Sequence, residues 1–355
     1  MKSVFGLAGL LLVLASCQQK KPDVVLAEEA VVSSVTSSSE KQKLSDYSFF
    51  TGPLKNLQPS VGVVEYALNS PLFSDYAFKK RFVKIPPGQR ANYHPTEVLD
   101  FPEGTILIKN FYYLADFNEP QKNIRLLETR LLILKKNEWR PLSYIWNDEQ
   151  IDAYLEVAGK SIDVSWKHYD GSLKKISYSV PNLNQCKACH LKGDKVMPIG
   201  PSARQLNGVL LGQDKIQLVK WKEASLLENL PEVNELPRLA RYENIDESLN
   251  QRSRAWLEIN CAHCHRSDGS AKTSGLHLLA NINESTVLGI GKAPVAAGKG
   301  SGGRLYGIVP GKPDESILQY RIESIHPGIM MPEVGRKLVH TEGVDLVRKW
   351  IAEMK

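Results

Sequence analysis

Between residues 44 and 180 the apolar positions fall in short runs rich in β-branched and aromatic residues. Thr105–Phe111, Arg130–Leu134 and Ile162–Trp166 are the clearest, and Pro86-Pro87-Gly88, Pro102-Glu103-Gly104 and Asp170-Gly171 supply turns. This pattern predicts a β-rich domain over 44–180, with one helix over Asn147–Val157. Its aromatics, Phe73, Tyr76, Phe111, Tyr112, Trp139, Tyr144, Trp146 and Trp166, read as sheet core, with the lining of a ligand groove as the alternative. From Pro181 the spacing of apolar residues turns helical. Helices are expected over Asp214–Glu228 (Ile216, Val219, Leu226), over Asp246–Asn260 (Leu249, Trp256, Leu257) and from Thr341 onward (Val344, Val347, Ile351, Met354). The glycine-rich stretch Gly289–Gly303 reads as a loop. Two mainly α regions, 181–245 and 246–355, therefore follow the β-rich domain.

The N-terminus follows another pattern. Lys2 precedes the apolar run Phe5–Leu14, too short to span a bilayer, and the run ends in Leu14-Ala15-Ser16-Cys17. This ending resembles the lipobox of bacterial lipoproteins, in which the cysteine becomes the lipidated first residue. Residues 1–17 read as a signal peptide and lipobox, with Cys17 as the lipidation site. Residues 18–43 carry no aromatic residue and no periodicity, and read as a flexible tether. The expected location is the bacterial cell envelope, lipid-anchored. Gln18 instead of Asp after Cys17 favours the outer membrane, facing the periplasm or the cell surface.

Composition narrows the picture further. With 42% hydrophobic and 24% charged residues, the chain is neither disordered nor fibrous, and 5 cysteines in 355 residues do not make a disulfide scaffold. The net charge of +6 is modest and unclustered, so no nucleic-acid partner is expected.

The chemistry lies in the cysteines. Beyond Cys17 they form Cys186-Lys187-Ala188-Cys189-His190 and Cys261-Ala262-His263-Cys264-His265. C-x-x-C-H is the attachment signature of c-type haem. Two thiols three apart on a helical turn reach the two vinyl groups of a porphyrin, and the next histidine ligates the iron. A shared zinc site would need the two pairs closer than the 71 residues that separate Cys189 from Cys261. A redox dithiol has no use for the histidine that follows each pair. Two covalently bound haem c groups are therefore expected, with cofactor-binding residues Cys186, Cys189, His190, Cys261, Cys264 and His265, and no disulfide. The carbonyl of Pro201 is expected to orient His190, and Arg204 is a candidate partner for a propionate. Met331, 66 residues after His265, is expected as sixth ligand of the second iron, with Met330 its rival and His326 and His340 as bland surface or cap residues. For the first iron the sequence leaves open Met197, His168 or His94, or no protein ligand.

Asn260–His265, Ser274-Gly275-Leu276, Val309-Pro310-Gly311 and Met331-Pro332, ahead of a Trp-containing helix, resemble planctomycete-type cytochrome c domains. From residue 44 the chain resembles a poorly characterised family of bacterial exported dihaem c-type cytochromes with an N-terminal non-haem domain. The matching N-terminal stretches are Ser70–Ala77, Glu128–Leu131 and Tyr144–Glu149. The resemblance implies a multidomain fold class, a β-rich N-terminal domain followed by mainly α cytochrome c-like haem domains. It also implies electron transfer between redox partner proteins, a donor and an acceptor, which are exported or membrane-bound. The alternatives are a dihaem peroxidase-like oxidoreductase with one open haem, and a substrate-binding module with a haem electron outlet.

Overall fold

A computed structural model of the chain describes Met1 and residues 40–355, and residues 41–355 form one compact unit. Cys17, the signal peptide and most of the tether lie outside the described residues.

The centre of the unit is a six-stranded antiparallel meander: β1 (Val63–Tyr66), β2 (Phe78–Lys84), β3 (Ile106–Leu114), β4 (Ile124–Lys135), β5 (Glu138–Trp146) and β6 (Ala153–Glu156). Side chains alternate between its faces, so each strand contributes to two cores. One face carries Val63, Phe82, Ile108, Leu131 and Tyr144 and packs on Leu44, Phe49, Phe50 and Leu57 from the start of the unit. The other face is divided into three. At one end Val83, Leu107, Leu134 and Trp139 meet Ala203, Leu206, Leu218 and Trp221. At the other end Phe111, Tyr113 and Leu127 meet the hairpin β7 (Lys160–Lys167) and β8 (Leu173–Val180) through Val164, Trp166, Ile176 and Tyr178. Between the two apolar ends runs a polar rung, Tyr66–Arg81–Lys109–Arg130–Ser143, paired strand to strand.

The expectation of mainly α cytochrome c-like domains after residue 180 is not met, and strand outweighs helix among the described residues. The helices there are α1 (Leu183–His190), α2 (Ala203–Leu206), α3 (Gln217–Glu223), α4 (Leu249–Leu257), α5 (Ile317–Glu323) and α6 (Thr341–Glu353). Prolines 198, 201, 231 and 237 and glycines 200, 208 and 212 interrupt the amphipathic spacing before it can extend. Two expected helices are corrected in detail. Asp214–Glu228 is helical only over α3, because the chain turns at Ser225 with φ 57° and Leu227-Glu228 then pairs with Ala91-Asn92. Asn147–Val157 is a turn followed by β6. The Asn147 side chain accepts hydrogen bonds from the Ile151 and Asp152 amides, and Gln150 adopts φ 57°. Local side-chain bonding there outcompetes the helix.

The segment 67–76 is the strip that joins the sheet to the two C-x-x-C-H regions. Gln217 clamps Ala67 by accepting from its N–H (2.7 Å) and donating to its carbonyl (3.0 Å). Gln205 does the same to Ser70, at 2.9 and 3.1 Å. Asn69 donates to the carbonyls of Arg204, Asn207 and Leu239. Further along, the Asn260 side chain accepts from Phe73 N–H, and Asp75 accepts from the amides of Lys337 and Leu338.

The last two long helices cross where Gly343 meets Trp256. A Cβ on Gly343 would lie 2.1 Å from the Trp256 indole nitrogen and 2.7 Å from His340 Nδ1. Gly343→Ala should therefore cost about 1–3 kcal/mol or more through overpacking, read as a fall in the thermal midpoint. An unchanged midpoint would show that the crossing relaxes freely.

Candidate functional site

The first motif sits on α1. A capping box at Asn182 and Gln185 fixes the helix start, with Asn182 Oδ1 accepting from Gln185 N–H at 3.0 Å and the Gln185 side chain accepting from Asn182 N–H at 3.0 Å. Cys186, Cys189 and His190 follow along the helix, His190 as its last residue. Immediately afterwards Leu191-Lys192 and Lys195-Val196 form a tight hairpin that turns at Gly193, with φ 62°. The hairpin returns Met197 to the end of α1. Met197 N–H donates to the His190 carbonyl (2.8 Å), and the His190 ring nitrogen Nδ1 bonds the Met197 carbonyl at 2.7 Å. The carbonyl that orients His190 is thus that of Met197, four residues earlier than the expected Pro201, because the hairpin folds back sooner.

The second motif continues α4. Ser248 and Gln251 form another capping box, and the helix widens into a single π turn over Glu258–Ala262 that carries Cys261. His265 Nδ1 lies 3.0 Å from Ser274 Oγ, and that hydroxyl donates to the Ala271 carbonyl. The hydroxyl hydrogen is therefore committed elsewhere, so the imidazole N–H is the donor. In both motifs Nδ1 is held by the protein and Nε2 has no protein partner among the described residues. Burial holds the His190 imidazolium pKa down at about 4, against the Met197 carbonyl, and lowers that of His265 as well. Both rings are neutral at pH 7, the form that binds a metal.

The two motifs touch. Cys264 Sγ approaches the Ala188 carbonyl at 3.8 Å, Ser270 Oγ donates to the same carbonyl at 3.1 Å, and Gly193 N–H donates to the Asp268 carbonyl at 2.7 Å. Around this seam Glu97 pairs with Arg266 (2.6 Å) and Lys192 (2.8 Å), and Asp268 pairs with Arg266 (2.5 Å). The ligand atoms of Cys189, His263 and Cys264 lie within 4.8 Å of one another. The Cys189 thiol is raised by its bond with Cys264 and by burial, and the Cys186 and Cys261 thiols by burial, the last to about 12. Among the described residues the four cysteines form no disulfide, and the bond with Cys189 holds the Cys264 thiol well below its usual range.

Burial opposes ionisation of Glu97, but its bonds to Arg266 and Lys192 outweigh that and draw its pKa down to about 2. A carboxylate depressed on folding stabilises above its unfolded pKa, about 4.3, and that stability is lost as pH falls through the folded value. Wild type should therefore lose stability from about pH 4.3 down to pH 2 more steeply than Glu97→Gln, measured by urea midpoints across that range. Parallel pH profiles would remove Glu97 from the seam.

A cavity of about 380 Å³ lies against the first motif, lined by Cys186, Cys189 and His190 on one side and by the polar rung of the sheet on another. Met330 and Met331 line the same cavity, whereas Cys261, Cys264 and His265 do not. His94 and His168 stand outside it: His94 Nδ1 accepts from the amides of Thr96 and Glu97, and His168 packs on Tyr76 and Phe117. Met197 meets His190 through its backbone, and its half-buried side chain packs against the core cluster that contains Leu206 and Trp221. His340 is a core residue, not a surface one. It stacks on Phe73 at 4.3 Å and accepts from Trp256 Nε1 at 2.9 Å, while His326 stays exposed. Arg204 faces Glu258 at 2.8 Å, a buried ion pair.

The donor set suits haem c: two cysteine pairs at thioether spacing, each followed by a neutral, oriented histidine. The sequence reading missed Ser274 as the partner of His265, His263 at the seam, and the cations of the sheet rung. No spacing rule flags these, although Ser274 lies in a stretch that carries the family resemblance. No protein-family model, curated protein or solved structure matches the chain.

Proposed function

We propose that the chain is an electron-transfer protein with two covalently attached haem c groups, one at Cys186, Cys189 and His190 and one at Cys261, Cys264 and His265. The observation that carries this reading is the state of the two histidines. Each follows a cysteine pair, each is neutral, and each has Nδ1 bonded to the protein with Nε2 left for a metal. Bound there, the groups supply one-electron redox chemistry. The protein's part is to hold them together, since the seam of Ala188, Cys264, Ser270 and the Glu97–Arg266 pair fixes one motif against the other. Met331 is proposed as a thioether ligand; its placement on the cavity that carries the first motif makes either iron its target. The donor and acceptor are exported or membrane redox proteins, and a lipid on Cys17 holds the chain at the cell envelope. Among the described residues no helix is long and apolar enough to cross a membrane.

A second reading rests on the Cys189–His263–Cys264 group, which offers two sulfurs and one nitrogen to a thiophilic metal ion in place of haem. One measurement separates the readings: visible spectra of the purified protein, oxidised and dithionite-reduced, with intact mass. Sharp reduced c-type bands and a mass increase of two haems support the proposal. A colourless protein that binds stoichiometric zinc supports the second reading.

A further inference from the structure

Arg81, Lys109 and Arg130 lie directly opposite one another on β2, β3 and β4. Like charges paired across strands repel, and each such pair is destabilising. Here there are two in a row, and the strand on either side adds only Tyr66 and Ser143. The rung is also largely withdrawn from water: Arg81 is buried, and Lys109 and Arg130 are half-buried.

Local compensation is small. Glu128 pairs with Arg130, and the Phe111 ring lies 4.6 Å from Lys109 Nζ and 4.3 Å from Arg130 Cζ. Among the described residues the side chains of Arg81 and Lys109 make no hydrogen bond or ion pair. Arg130 Nε is buried without a partner as well. Within the rung, three basic residues share one carboxylate, Glu128, on the wall of a cavity that Cys186, Cys189 and His190 also line, together with Asp75, Glu333, Arg336 and Lys337. Burial, Arg81 and Arg130 push the Lys109 ammonium well below its usual range, so the rung lacks a counter-charge. A buried uncompensated charge is costly unless a counter-charge arrives. A haem brings two carboxylates.

We propose that the Arg81–Lys109–Arg130 rung is the carboxylate receptor for the propionates of haem held at the first motif. The non-haem sheet is then one wall of the first haem site and sets the potential of that haem alone. This inference rests on the proposed function.

The test uses the full-length protein as isolated. Potentiometric titrations of wild type, Lys109→Gln, Arg81→Gln and Lys109→Arg are compared, with intact mass as the check on haem content. Removing a cation beside a haem disfavours its reduced form. At a fixed potential each glutamine variant should lower the reduced-to-oxidised ratio of one haem about tenfold, about 59 mV for one electron. The other wave should stay in place, and Lys109→Arg should restore the shifted one. Loss of one haem from Lys109→Gln that Lys109→Arg restores supports the receptor equally. Loss that Lys109→Arg does not restore argues against it, because charge is then not what matters. Two loaded haems with both waves unmoved in both glutamine variants overturn the assignment. So does a wild-type spectrum that changes on adding nitrite or sulfite and ceases to respond in Lys109→Gln, since the rung then holds a free oxyanion. A protein without haem refutes the proposed function itself and is told apart by mass alone.

Discussion

Replacing Cys186 and Cys189 together by alanine should remove one of two haems, and replacing Cys261 and Cys264 should remove the other. On the proposed function each thioether link would use one of these sulfurs, and the adjacent histidine alone would not retain the group through denaturation. The measurement is intact mass after denaturing chromatography, with the reduced visible absorbance falling by half. The seam adds a second expectation. Cys189 lies beside Cys264, so the remaining haem of the Cys186→Ala/Cys189→Ala variant should show a displaced potential, because its neighbour has changed. Retention of both haems in either double variant would refute the attachment sites.

Arg204→Ala should be among the most destabilising single substitutions outside the motifs. Arg204 on α2 and Glu258 at the end of α4 are only 12% and 8% exposed, with Arg204 Nε 2.8 Å from Glu258 Oε1. That nitrogen lies off the line of an aligned hydrogen bond, so charge rather than geometry holds the pair. Glu258 Oε2 also accepts from Ala280 N–H at 2.8 Å. Removing the guanidinium strands a buried carboxylate, at a cost of roughly 3–5 kcal/mol. Urea denaturation should show the midpoint falling with little change in slope. Replacing Arg204 by Met and Glu258 by Leu together should recover most of the loss, because no charge is then left unpaired. A single variant within about 0.5 kcal/mol of wild type would mean that water reaches the pair.

The helix-crossing glycine, the Glu97 seam and the sheet rung bear on the same question from different sides. Each concerns how residues far apart in the chain are fixed around the two motifs. The strip 67–76 shows the scale of this. Its backbone is held by Gln205 and Gln217, more than a hundred residues downstream, and by Asn260 just before the second motif. These contacts tie distant segments together within the compact unit 41–355.

Much of the chain is legible without coordinates, and for physical reasons. The runs Thr105–Phe111 and Arg130–Leu134 become central strands because branched and aromatic side chains bounded by turns suit a pleated, half-buried surface. The helix from Thr341 follows from its own apolar spacing, with Val344, Val347 and Ile351 buried. The C-x-x-C-H chemistry is local too, since both sulfurs and the histidine belong to one helical turn. Other features depend on partners that the sequence does not place. Asn147–Val157 has helix-compatible residues, yet the Asn147 side chain and the edge of β5 claim the segment for the sheet. The region after residue 180 has helical periodicity, but its prolines and glycines shorten every helix before the last, and loops anchored on the sheet fill the rest. Met197 stands out in the sequence as a thioether seven residues after His190, but only the fold shows that a two-residue turn brings its carbonyl to the His190 ring. The rung of Arg81, Lys109 and Arg130 is invisible in one dimension, because strand register alone sets three scattered cations side by side. By itself the sequence determined the elements with strong local periodicity and set each cysteine pair and its histidine within five consecutive residues. Tertiary structure decided which motif meets which and what charge faces the cavity, because these depend on register and packing between separate segments, and a two-residue turn decided which carbonyl holds His190.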